Sequence, residues 1–177
     1  MDRRLADRRL ADRRIATLSP GAGSIGFALA ADQISKAVVN ANSDTLAGGI
    51  PVVPGFNLIF LRNDGVTFGM LGGAPWWALS GLALVVTVWL AVLLVRTDSR
   101  LDAAAYGLVI GGALGNVVDR LRIGAVTDFL DVYVGTWHWP AFNLADVAVV
   151  GGVGLLLLSE FWQARNSRRR KGRADRG

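Results

Sequence analysis

Apolar and polar positions along the chain fall into blocks rather than alternating over its whole length. Pro75 to Val95 reads PWWALSGLALVVTVWLAVLLV and holds no charge, which meets the about 20 residues needed to cross a bilayer core. Ala103 to Leu121 is a second such block, rich in small residues, with Asp119 near its end. Leu144 to Trp162 is a third, opened by Asp146 and closed by Glu160 and Trp162. A weaker block covers Thr17 to Val38 and contains Asp32, Gln33 and Lys36. Arginines before it and Ala28-Leu29-Ala30 within it fit a signal peptide with a small-residue cleavage site. Pro20 and three glycines break its apolar core, however, and favour an uncleaved span. Between the first two spans, Pro54-Gly55 and Asn63-Asp64-Gly65 are turn signals that bracket a stretch with strand propensity. The pattern predicts an all-α polytopic membrane protein: four transmembrane helices and a small extracytoplasmic β element in the first outer loop.

Composition agrees, since 52% of the 177 residues are hydrophobic and the mean hydropathy is +0.39. The placement of charge then sets orientation. Six arginines lie in residues 1–14, and six more with Lys171 follow Trp162. Arg96 and Arg100 sit between the second and third spans, whereas residues 39–74 and 122–143 carry only Arg62 and Arg122 as basic groups. The positive-inside rule puts both termini in the cytoplasm and the two longer loops outside. Asp119, Asp128, Asp131 and Asp146 then gather at the outer face, and Trp137 and Trp139 fall at headgroup level. The basic ends are read as topology signals, not as a nucleic-acid surface. Three domains follow: a basic arm over 1–16 carrying the DRRLA repeat, a membrane domain over 17–163, and a basic tail over 164–177.

Candidate chemistry is narrow. The chain has no cysteine and a single histidine, His138, so no thiolate or histidine-rich metal site is expected, and no cofactor. Asp32 and Lys36 are spaced to pair along one helix. Gly111, Gly112 and Gly115 permit close helix contact, and Asn116, Asp119 and Arg120 follow within about one turn. Asn143 lies three residues before Asp146, the spacing of a capping box. A second carboxylate beside Asp146 would allow one acid to act as base on water while the other donates a proton. Spacing alone leaves Asp119, Asp128 and Asp131 open as that partner.

Five short motifs, in order, resemble the bacterial lipoprotein signal peptidases, also called signal peptidase II. They are Asp32-Gln33-x-x-Lys36; Asn63-x-Gly65 followed by Phe68; Gly115-Asn116-x-x-Asp119-Arg120; Val126-x-Asp128-Phe129; and Phe142-Asn143-x-Ala145-Asp146. Thr67 departs from the pattern, which has a small residue there. The resemblance implies a membrane aspartic endopeptidase with Asp128 and Asp146 as its catalytic pair and Asp131 as a loop acid. Asp32, Lys36, Asn63, Gly65, Asn116, Asp119, Arg120 and Asn143 would support the site or bind substrate. The implied partners are membrane lipid and diacylglyceryl-modified prolipoproteins, cut just before the lipidated cysteine; globomycin would inhibit, and one chain would hold the whole site. Two rival readings are a small transporter or proton-conducting subunit, with Asp32, Lys36, Asp119 and Asp146 as a relay, and a scaffold for which Asp128 is dispensable.

Overall fold

The computed structural model describes residues 3–65 and 75–174, with side chains described over 14–65 and 75–166. Thr67 and Phe68 lie outside the described residues. Among the described residues, five helices and four strands run in the order α1 (Arg3–Ala41), α2 (Ser43–Leu46), β1 (Ile50–Val53), β2 (Phe56–Asn63), α3 (Trp76–Arg96), α4 (Arg100–Ile123), β3 (Val126–Val134), β4 (Trp137–His138) and α5 (Leu144–Ala174). Among the described residues, three helices are long and apolar enough to cross a membrane: α3, α4 and α5 over Leu144–Asn166. The backbone of the arginine-rich arm is helical and continuous with the rest of α1, and the helix runs through Pro20 without ending.

Helix α4 is central and packs against α1, α3 and α5. Glycine makes this possible. A Cβ at Gly111 would lie 2.6 Å from the Ile25 carbonyl oxygen of α1. Gly115, one turn on, leaves room for the Asp32 carboxylate itself. Gly112, on another face of α4, admits the Ala145 carbonyl of α5. Small residues thus let three backbones approach closely where the bilayer supplies no hydrophobic drive between helices. Leu90, Leu94, Ala103, Val109 and Ile110 fill the space between α3 and α4.

The strands form one antiparallel sheet in the order β1-β2-β3-β4. This corrects the expected location of the β element. The first loop supplies only β1 and β2, and the second contributes β3 and β4. Asp128 and Asp131 are therefore strand residues, both buried, and not loop acids. β2 and β3 pair from Phe56↔Val132 to Asn63↔Val126, with a bulge between Leu58 and Leu61. Gly124 ends α4 in the left-handed region at φ 71° and gives its N–H to the Arg120 carbonyl, as a helix-terminating glycine does. Only Gly124 and Ala125 then separate α4 from β3. That short link holds the sheet over the end of the bundle where Asp119 and Asp146 lie.

Candidate active site

Four elements converge on this end of the molecule. α1 brings Asp32 and Lys36, α4 brings Asn116, Asp119 and Arg120, β3 brings Asp128, and the β3–α5 segment brings Asn143 and Asp146. The end of β2 adds Asn63, and the turn after it Gly65.

At the base is a buried charge cluster. Lys36 Nζ lies 2.9 Å from Asp32 Oδ2 and 3.1 Å from Asp119 Oδ2, so the i, i+4 pair forms and gains a second acid from α4. Its third contact is Asn116 Oδ1, at 2.9 Å. An ammonium has three donors and no acceptor, and each is used here. The remaining carboxylate oxygens are also engaged. Asp32 Oδ1 accepts from the Ala145 backbone N–H at 3.0 Å, Asp119 Oδ1 from the Gln33 amide, and Asp119 Oδ2, beside Lys36, also from the Thr127 N–H at 3.0 Å. Gln33 donates to Asp32 and Asp119 at 3.1 and 3.2 Å. Buried charges of this kind are tolerable only when paired and hydrogen-bonded throughout.

Above the cluster stand two amides and two further carboxylates. With Lys36 on its oxygen, Asn116 presents its N–H to Asp146 Oδ1 at 2.9 Å. Asn143 donates its side-chain amide to Asp128 Oδ1 at 2.7 Å and to Asn116 Oδ1 at 3.2 Å. Its Oδ1 accepts from the Asp146 N–H at 3.1 Å, and its own backbone N–H reaches Asp146 Oδ2 at 3.2 Å. The capping box expected from spacing is therefore present and reciprocal. Asn63 closes the other side, donating to Asp128 Oδ2 at 2.8 Å. Its oxygen meanwhile accepts from the Gly65 N–H at 3.1 Å. Arg120 donates to the Gly65 carbonyl at 3.2 Å.

Asp128 and Asp146 thus flank the same residue, Asn143. Burial pushes the Asp128 carboxyl up from its ordinary 3.8 to about 6; hydrogen bonds from Asn63 and Asn143 oppose the rise and the Asp146 charge adds to it. A buried acid poised near neutrality beside a second acid can exchange a proton with water or a substrate carbonyl. Beside Asp146 a cavity of about 640 Å³ runs along α5, walled by Trp139, Phe142, Val147, Val150 and Gly151.

All ten residues singled out from the sequence lie in this network. Asp131 does not. It is on the opposite face of β3, where Asn57 donates to it at 2.8 Å and His138 Nδ1 lies 2.8 Å away. Burial would raise its carboxyl, but these two bonds outweigh it and hold the group below the ordinary range. Sequence reading missed Asn57, Thr127 and the Ala145 N–H. Asn57 is found only from the register, which sets it directly against Asp131. Among the described residues no cluster of acids and histidine has the make-up of a metal site.

The family description signal peptidase (SPase) II matches residues 24–162. The lipoprotein signal peptidase of Paraburkholderia phymatum is 39% identical over 156 residues, covering 86% of this chain and 93% of its own. That of Cupriavidus taiwanensis is 45% identical over 138 residues, covering 76% and 78%. A solved structure described as a bacterial membrane enzyme superposes with a TM-score of 0.74 at 25% identity, over 84% of this chain and 92% of that one. Five ordered motifs, a carboxylate pair on a membrane-length bundle and a match over most of the chain point the same way: this is a membrane peptidase belonging to the signal peptidase II family.

Proposed function

We propose that the chain removes signal peptides from diacylglyceryl-modified prolipoproteins, cutting just before the lipidated cysteine. Asp128 and Asp146 are the catalytic pair. The observation that carries this reading is their meeting on one residue, Asn143, one from a strand and the other from a helix. One carboxylate, ionised, takes a proton from a water that attacks the scissile carbonyl. The other, protonated, donates to the carbonyl oxygen, and a tetrahedral intermediate forms. Return of a proton to the departing amine completes cleavage. Which acid holds the proton at rest is a property of the pair. The apolar cavity beside Asp146 supports a substrate that carries acyl chains or an apolar leader.

In this reading α1 is the fourth span, supported by its close packing along α4. Both termini are cytoplasmic, and the site faces outward in a bacterial inner membrane. Residues 17–163 form the peptidase domain, between the basic arm 1–16 and the basic tail 164–177. One chain suffices, and globomycin inhibits it.

The test uses purified protein in detergent with a diacylglyceryl-modified precursor and the same precursor unlipidated. Cleavage of the lipidated form only, lost in Asp128→Asn and in Asp146→Asn with folding retained, is the expected result. Full activity in either variant would sink the assignment. The transporter reading needs a relay across the membrane, but Asp32, Lys36, Asp119 and Asp146 belong to one cluster at one end of the bundle. A proteoliposome flux measurement with no signal disposes of it.

A further inference from the structure

At the opposite end of the bundle, α1 and the end of α3 enclose a cleft of about 740 Å³ lined by Arg14, Thr17, Leu18, Val95, Arg96 and Asp98. Arg14 and Arg96 are exposed and form no ion pair among the described residues. Arg14 and Lys36 are on one helix, 22 residues apart, which is about 33 Å at 1.5 Å per residue. That is close to the roughly 30 Å of a bilayer's hydrocarbon core. If the carboxylates are at one headgroup layer, the cleft is at the other. Its chemistry is graded accordingly, with guanidinium groups and a hydroxyl above Leu18 and Val95, and exposed Ile15 beside it.

We propose that this cleft binds one anionic phospholipid, a phosphodiester of the phosphatidylglycerol type. The two guanidiniums take the phosphate oxygens, a geometry suited to arginine. Asp98 selects within the anionic lipids. Two arginines and one acid sum to +1, which balances a singly charged phosphodiester and disfavours a dianionic phosphate. The exposed Asp98 carboxylate can also accept a hydrogen bond from a headgroup glycerol hydroxyl. A choline headgroup has neither the net charge nor the donor. The acyl chains lie along Leu18 and Val95. This inference rests on the membrane setting of the bundle, not on the peptidase chemistry.

The experiment is native mass spectrometry of the full-length protein released from nanodiscs of defined composition, counting retained lipid. Phosphatidylglycerol is retained over phosphatidylcholine by roughly five- to thirtyfold, the range set by the net charge of the cleft and by its two cationic contacts. Arg14→Gln/Arg96→Gln abolishes the preference, whereas Arg165→Gln, on a basic residue outside the cleft, preserves it. Asp98→Asn admits phosphatidic acid as well as phosphatidylglycerol. Equal retention of phosphatidylethanolamine, preference surviving in the double variant, or displacement by soluble glycerophosphoglycerol would each overturn the proposal. Precursor cleavage by the double variant verifies its fold. The Asp98→Asn outcome keeps the test decisive if the double variant does not fold. The readout is lipid mass, so its failure is separate from any failure of the peptidase reading.

Discussion

The ammonium of Lys36 lies 2.9 Å from Asn116 Oδ1, and this contact decides which way the Asn116 amide faces. Because an ammonium cannot accept, the N–H side must turn to Asp146. Asn143 is set by the same oxygen, since its Nδ2 donates to both Asn116 and Asp128. A lysine that touches neither Asp128 nor Asp146 thereby orients the donors on both.

Replacing Lys36 by Met leaves Asp32 and Asp119 buried and uncompensated. Removing one partner of a buried ion pair costs ~3–5 kcal/mol. The expected outcome is a large fall in thermal stability in detergent, with cleavage lost. Adding Asp32→Asn and Asp119→Asn to Lys36→Met recovers a substantial part of the stability. Unchanged stability in the single variant would refute the charge-cluster account.

Asp128 gives stability a pH dependence of known sign. Its folded value of about 6 exceeds the ordinary 3.8, so the folded state binds the proton more tightly. The contribution is fully present below about pH 4 and is lost as pH rises through about 6, by about 3 kcal/mol. Melting temperatures between pH 4 and 7 should fall more steeply in the native protein than in Asp128→Asn. Parallel curves would contradict the assignment. Activity should show a limb near pH 6 that belongs to the pair.

Gly115→Ala places a methyl group against the Asp32 carboxylate. Overpacking costs about 1–3 kcal/mol, and here it also displaces an acid from Lys36 and from the Ala145 N–H. Gly154→Ala, with open space around it, should be neutral or stabilising by roughly 0.5–1 kcal/mol through helix propensity. Melting curves of the two variants, with cleavage rates, test the contrast.

Asp131→Asn separates the two strand acids. Its carboxylate binds Asn57 and His138 and is remote from the Asn143 network. Cleavage should stay within about threefold of the native rate, since the hydrogen bonds weakened here are worth about 0.5–1.5 kcal/mol net and lie outside the Asn143 network. A loss as deep as that of Asp128→Asn would reopen the choice of partner.

The helical blocks, the Asp32–Lys36 pair and the Asn143–Asp146 cap were legible because each is local. Their signals repeat at helical spacing or lie within four residues. β3 was not legible, for two reasons. One face carries Val126, Asp128, Leu130 and Val132, the other Thr127, Phe129, Asp131 and Tyr133. Acids occur on both faces, and Val126 to Phe129 are all buried, so the alternation that marks a half-exposed strand is absent. Its partner β2 is also more than 60 residues earlier. From the residues alone, that pairing was needed to tell Asp128, which meets Asn143, from Asp131, which meets Asn57. The family motifs made the same choice by another route.

The buried triad also constrains the order of biogenesis. Asp32 and Lys36 are on one helix, so α1 can enter a bilayer with its charges already mutually neutralised. Asp119 arrives later, on α4, and its compensating cation is on α1. In the proposed topology α4 is therefore a client of α1 during insertion. A nascent chain whose first helix lacks Lys36 would reach the translocon exit with an acid that has nowhere to settle.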